Sequence, residues 1–433
     1  MKKINLLYLL GFLFFFAACE IEDQVDPNAP SINSVLSDAS LTELNLLVSG
    51  TEAGIRNGFG TYVTSAGSIA REFYKFDADP RNTEDLLGKN GTQLDNNTFY
   101  LTAPYNTRYR AVKNCNILLE ALDNTNSVSE GEKDAYRGFA NTVKGLMLFQ
   151  VLNMLNDNGI RTDVADALNL GPFVSKDAAF DEIVNILDDG FNQVQGSTFN
   201  LPLTTGFDGY NTADDFGRFN QAITAKVLTF AGDYQGALDR LSKSFFELNG
   251  DITAGPKHVF STASGDIFNP LFKTPGQSGD QLVVHNSVIE DAEAGDARLA
   301  KFRERVDPTS LDGLNGTHET ALYASSTSPI SIIRNEELIL LYAECSIQTG
   351  ATQQGIDAIN TIRNAHGLAD YSGGTDTDSL IDELLHQRRY SLWGEGNRMY
   401  DLRRYGRLND QFVPIDRDGD IIHTQFPVPL TEG

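Results

Sequence analysis

In the loop IDRDGDII, Asp416, Asp418 and Asp420 alternate beside Gly419, a spacing that could gather carboxylate oxygens around a hard cation such as calcium. The glycine stands at the wrong place for an EF-hand and no distal bidentate glutamate follows in register, so a solvated turn is the expected role. A denser concentration of charge lies just upstream. Between residues 386 and 407, Arg388, Arg389, Arg398, Arg403, Arg404 and Arg407 meet only Glu395 and Asp401. Six guanidinium groups could form an anion site, but helical spacings such as Arg398 with Asp401 point to internal ion pairing. Trp393, the one tryptophan, is expected to pack among them. Of the three cysteines, Cys115 and Cys345 fall in apolar helical patterns, which favour small buried thiols over a disulfide.

No H-E-x-x-H, G-x-S-x-G or P-loop spacing occurs, nor any paired Cys/His metal spacing, so no cofactor is expected and the enzyme reading has no motif behind it. With 59 acidic residues, a carboxylate pair across a sugar is available on count alone, and a surface glycosidase stays as a lesser alternative. The formal charge of −25 argues against a nucleic-acid partner, because phosphate binding needs a basic surface to release counterions.

The elements around these groups read as helices. In DAYRGFANTVKGLMLFQVLNML, Phe139, Val143, Leu146, Met147, Val151 and Met154 recur every three or four residues and predict one buried stripe. Tyr105 to Leu122 behaves alike, with Tyr109, Val112, Cys115, Leu118 and Leu119 on one side. Sliding ITAKVLTFAGDYQGALDRL by 118 residues onto LYAECSIQTGATQQGIDAI aligns Ala225 with Ala343, Gly232 with Gly350, Gln235 with Gln353 and Asp239 with Asp357. Small residues about twelve apart, Ala225 with Ala237 and Ala343 with Gly355, are what tetratricopeptide-type helix pairs need for close approach. A mainly α fold follows: a tetratricopeptide-like helical-repeat scaffold with long loop-rich regions and minor β, unrelated amphipathic hairpins being the plainer alternative. The loops Phe76 to Thr98, Ser197 to Phe216 and Ile252 to Gln281 are long enough to be functional, and a binding surface is expected there.

At the start, Lys2 and Lys3 precede an apolar run from Ile4 to Phe16, which reads as a signal peptide and is too short to span a membrane. Ala17-Ala18-Cys19 resembles the lipobox of bacterial lipoproteins, which implies that Cys19 is acylated and becomes the mature N-terminus. The lipid would be the membrane contact. Glu20 to Gln24 resembles the acidic signal that sends some Gram-negative lipoproteins to the outer face of the outer membrane, although a solvated tether would look similar. The expected organisation is residues 1–18 as signal peptide, 19–40 as lipidated N-terminus and tether, and 41–433 as one domain.

Three C-terminal segments carry a wider likeness. Arg334, Glu337, Leu340, Ala343 and Glu344 are followed by Ile359, Asn360, Ile362 and Arg363. Then come Arg388, Leu392, Glu395, Gly396, Arg398, Asp401, Leu402, Arg403 and Arg404, and finally Pro427, Val428 and Pro429. This series closely resembles the motifs of the SusD/RagB family of outer-membrane nutrient-binding lipoproteins. Gln387 and Ser391 depart from it, where the family usually has glutamates. YRAVKNCNILLEAL and AYRGFANTVKGLMLFQVLNMLND resemble two further helices of the family. The resemblance implies four tetratricopeptide-like helix pairs and a lid over a SusC-like TonB-dependent barrel. It also implies capture of oligosaccharides for import, or of peptides in RagB-like branches, at the cell exterior. Sugar recognition would then use loop aromatics against the apolar faces of sugar rings, with amide, carboxylate and guanidinium groups on the hydroxyls. The candidates are Phe73, Tyr74, Asp79, Arg81 and Asn82, with Phe268, Phe272 and Tyr323 from the later loops.

Overall fold

Ser129 and Glu132 show how this chain starts a helix. The Glu132 amide donates to the Ser129 hydroxyl while the Glu132 carboxylate accepts from the Ser129 amide, which satisfies donors left over at the helix end. The helix that follows, Glu130–Leu155, buries the whole stripe from Phe139 to Met154. It belongs to a computed structural model that describes residues 32–166 and 168–432. The expected signal peptide, the expected lipidation of Cys19 and the expected tether as far as residue 31 lie outside the described residues.

In chain order the described helices are α1 (Ile32–Asp38), α2 (Leu41–Gly54), α3 (Phe59–Ile69), α4 (Phe99–Asn124), α5 (Glu130–Leu155), α6 (Lys176–Val194), α7 (Ala213–Ala231), α8 (Tyr234–Leu241), α9 (Asn286–Glu290), α10 (Asn335–Gln348), α11 (Thr352–Ala365), α12 (Thr377–Ser391) and α13 (Arg398–Arg404). Helix α1 falls inside the stretch expected to be tether. It packs on α4, where the Asn124 amide donates to the Leu36 carbonyl at 2.8 Å. Helices α4 to α8 then pack each on the next, α8 packs on α10, and α10 packs on α11 and α12. None of these helices is long and apolar enough to cross a membrane.

The internal repeat is visible in three dimensions. Gly232 and Gly350 both follow the first helix of a pair with left-handed backbone, φ 87° and 82°, where a side chain would strain the turn. Ala225, Ala237 and Ala343 are fully buried, and a methyl group at Gly355 would lie 2.6 Å from Cγ1 of Ile347. Even a surface detail recurs: Gln235 donates to Asp239, and Gln353 to Asp357. The two hairpins meet at Thr229, whose hydroxyl lies 3.3 Å from the Cys345 sulfur. Cys115 and Cys345 are free and buried, and burial pushes both thiols up to about 12.

The strands are β1 (Phe73–Phe76), β2 (Ile160–Arg161), β3 (Phe173–Val174), β4 (Lys257–His258), β5 (Gln281–Val284), β6 (Phe302–Leu311), β7 (Leu314–Thr320) and β8 (Ile330–Ser331). One antiparallel sheet has the order β1-β5-β7-β6, while β2–β3 and β4–β8 are short pairs. Phe73 faces Val284 and Phe76 faces Gln281, so the loops after β1 and before β5 leave the sheet at the same edge. Trp393 locks this sheet to the C-terminal motif. It is fully buried, donates to the Glu72 carbonyl at 3.1 Å, and meets the edges of Phe73 and Phe302 at 5.5 and 4.8 Å.

Glu72 itself carries a testable cost. Its carboxylate accepts from the Gly394 amide at 3.3 Å, its Oε2 has no hydrogen-bond partner, and burial pushes it up to about 8. Between the unfolded value of 4.5 and about 8, the native chain keeps a proton that the unfolded chain has lost, so stability falls as pH rises through that window. Glu72→Gln should therefore match the wild type near pH 4 and exceed it by roughly 2–4 kcal/mol at pH 8. Urea denaturation across this range checks it, and parallel pH profiles for the two proteins would overturn it.

Candidate ligand-binding face

The residues singled out in and after β1 divide between core and surface. Phe73 and Tyr74 are strand residues, not loop residues, because pairing with β5 extends to both. Phe73 is fully buried on the Trp393 side and has no face free for a ligand. Tyr74 points to the other side, stacks on Phe76 at 5.7 Å and donates its hydroxyl to Asp416 at 2.7 Å. Strand alternation decides both outcomes.

Past the strand the chain turns outward. Asp79 accepts from the Arg81 amide at 3.1 Å, capping a single 3-10 turn at Pro80–Asn82, and also chelates the Arg81 guanidinium at 2.8 and 2.6 Å. This hydrogen bonding by Arg81 holds the Asp79 carboxyl below its usual range. The Arg81 side chain, 46% exposed, lies over the Phe99 ring at 5.0 Å. Lys75 approaches the same ring at 5.8 Å and pairs with Asp77 at 2.8 Å. Asn82 is buried, its amide spent on Asp77 at 2.8 Å, so it braces the turn instead of facing solvent. Phe99, Lys75 and Asp77 were missed by sequence reasoning. Phe99 is the first residue of α4, one position beyond the expected loop, and loop position was the signal followed.

The later loops form a second surface. Asn269 staples residues 266–272 to 325–328: its amide nitrogens donate to the Ser326 and Ser328 carbonyls at 2.8 Å, and its side-chain oxygen accepts from the Leu271 and Phe272 amides. Phe268 is left 58% exposed at the loop tip, while Phe272 is half-buried. Tyr323 lies elsewhere, in a cleft of about 320 Å³ with Leu322, Pro329 and Lys257. The floor of that cleft is paired charge. Arg334 bridges Glu336, at 2.8 Å, and Glu395, and His366 reaches Glu336 at 2.6 Å. Lys301 donates to the Tyr390 and Ser391 carbonyls, and burial followed by the Arg334 charge lowers it to about 8.

The acidic loop near the C-terminus is not a solvated turn. Asp416 accepts from Arg71 Nε at 2.9 Å and from Tyr74, and His285 Nε2 lies 2.8 Å away. Burial alone would raise its carboxyl, but the hydrogen bond from His285 and the Arg71 charge hold it below its usual range. Asp420 pairs with Arg417 at 3.0 Å, and Arg417 also reaches Asp312 and the Thr83 carbonyl. Two of the three alternating acids are thus spent on guanidinium groups, and Asp418 between them is exposed. Among the described residues, no group of three or more His, Cys, Asp or Glu could hold a metal ion. Tyr74, His285 and Asp416 line a further cleft of about 330 Å³.

The arginine cluster pairs inward. Arg388 and Arg404 both donate to Asp401, at 2.8 and 3.0 Å, Arg404 also reaches Glu344, Arg389 pairs with Asp291, and Arg407 with Asp382. The expected Arg398–Asp401 pair is replaced: Arg398 donates to the Leu385 carbonyl.

Known proteins share this architecture and its signature. The SusD family model matches residues 191–429. SusD-like protein P38 of Formosa agariphila is 27% identical over 171 residues, 37% of this chain; the match spans only 30% of that relative's length. A SusD superfamily protein from Bacteroides vulgatus superposes with a TM-score of 0.71 at 18% identity, covering 90% of this chain and 96% of its own. Surface glycan-binding protein A from Bacteroides thetaiotaomicron, solved in complex with laminarihexaose, superposes with a TM-score of 0.70 at 14% identity, covering 91% and 97%.

Proposed function

The chain belongs to the SusD family, and from that premise we propose that it is a cell-surface lipoprotein that binds oligosaccharide and delivers it to a SusC-like TonB-dependent barrel. In this reading residues 1–18 are removed, Cys19 carries the lipid, and the following segment tethers the helical body to the outer membrane. The protein captures its ligand and does not cleave it. The observation that carries the reading is Arg81 held across Phe99 by Asp79: an exposed guanidinium fixed against a half-buried aromatic ring. Such a pair offers an apolar plane to a sugar ring and donors to its hydroxyls, with little side-chain entropy left to lose on binding. Lys75 and Asp77 beside the same ring add further polar contacts.

Calorimetry against a panel of neutral glycans and a panel of peptides tests this. A glycan is expected to give saturable heats, and Arg81→Ala or Phe99→Ala to weaken its binding by roughly 10-fold or more, equivalent to about 1.4 kcal/mol. Saturable heats with peptides alone would sink the glycan reading.

A further inference from the structure

The arginine cluster leaves one cation without a carboxylate at a surface opening. Of its six members, four pair with acids, and Arg398 is turned inward to a backbone carbonyl. Arg403 remains. Its guanidinium donates to the Thr424 carbonyl at 3.1 Å and to the Asn153 carbonyl at 2.8 Å, and lies over the Tyr400 ring at 5.2 Å. No carboxylate among the described residues lies within ion-pair distance of it. Burial lowers its proton affinity, the expected response of a cation short of counter-charge.

Arg403 lines a cleft of about 430 Å³, large enough for a sugar ring or a short peptide end. The cleft lies among the ends of the helix stack: the C-termini of α5 and α7, the first turns of α6 and α8, and α13. Phe180, Phe230 and Tyr234 supply aromatic walls. Arg404 enters the same lining with its ring-facing guanidinium 4.3 Å from the Phe230 centroid, its Nε without a hydrogen-bond partner and its charge met from behind by Glu344 and Asp401. Lys176 stands at the rim, paired with Asp157 at 2.6 Å. Asp177 is the remaining acid of the lining and is exposed. Two adjacent guanidinium groups, one unmatched and one with a spare donor, are thus held rigidly in an aromatic-walled cleft of a strongly acidic protein.

We infer that this cleft is a second binding site, separate from the Asp79–Arg81–Phe99 surface, and that it takes a carboxylate-bearing small ligand. A planar guanidinium fits a carboxylate in two parallel hydrogen bonds, and the aromatic walls suit the body attached to it. A hexuronate and a peptide C-terminus share this chemistry.

The test is calorimetry on the full mature protein with digalacturonate, its neutral counterpart digalactose, triglycine and triglycine amide. An acid is expected to bind saturably and its neutral counterpart not to; which acid binds identifies the source as sugar or peptide. Arg403→Gln should weaken binding roughly 10-fold or more. Lys176→Glu, a rim change outside the packed core, should weaken it in the same direction, and both losses should persist in an Arg81→Ala background, which removes the other binding surface. In that Arg81→Ala background, equal binding of acid and neutral forms, unchanged affinity in both cleft variants, or no heat with either acid would overturn the assignment. None of these results bears on neutral-glycan binding at Arg81.

Discussion

Asp401→Ala is expected to destabilise the fold by about 3–5 kcal/mol, the range for removing one partner of a buried ion pair. The Asp401 side chain is 2% exposed and accepts from Arg388 Nε and Arg404 Nη2. Arg404 would keep Glu344, but Arg388 would not be rescued. It is 1% exposed, and neither of its terminal nitrogens has a hydrogen-bond partner even in the intact protein. The loss is therefore an uncompensated buried cation. Denaturant titration of the variant measures it, and a shift below about 1 kcal/mol would show that Glu344 or Glu337 takes over the charge. Adding Arg388→Met to Asp401→Ala should recover part of the loss, since removing both charges removes the desolvation cost as well.

Such pairs explain why the C-terminal signature was legible as structure. Arg388, Asp401 and Arg404 sit on two helices close in sequence, and their types and spacing announce ion pairing. The helical stack was legible for a similar reason. Each stripe, from Phe139 to Met154 for instance, is a local pattern, and the two hairpins repeat the same glycine turn and small-residue contact. Details failed where better-placed donors existed: Asp401 accepts from Arg388 and Arg404, leaving Arg398 to a carbonyl.

The candidate site was far less legible because its geometry is set across long stretches of chain. Nothing near Phe73 says that it will face Val284 and turn inward to Trp393. The IDRDGDII loop reads as solvated until Arg71, 345 residues away, and His285, 131 residues away, arrive at Asp416. Loop membership pointed to Asp79, Arg81 and Phe268, which stay at or near the surface, but also to Asn82, whose amide is consumed internally, and passed over Phe99, which lies under Arg81 at the helix start. Exposure in a loop-rich protein depends on tertiary pairing, which composition and periodicity do not encode.

Asp416→Ala is expected to cost a similar ~3–5 kcal/mol and to act on the loop-rich face itself. Three donors converge on this carboxylate. The Ser287 amide donates to Nδ1 of His285, which leaves Nε2 to carry the proton toward Asp416, beside the Tyr74 hydroxyl and Arg71. Arg71 would keep the Ile69 and Leu87 carbonyls but lose its one ion pair among the described residues. Because the folded carboxyl lies below its unfolded value of 3.8, the contribution is present above that pH and fades as pH falls through the folded value. The deficit of the variant should accordingly be full at pH 7 and shrink in strong acid. The loop has a second anchor, Arg417 on Asp312 and the Thr83 carbonyl, so local loosening should be graded. Hydrogen exchange should rise most where the lost contacts met, in β1 and residues 412–416, and less at 417–420. Uniformly faster exchange across 409–420 would mean that Arg417 does not hold independently, and the stapling of this face would then rest on Asp416 alone.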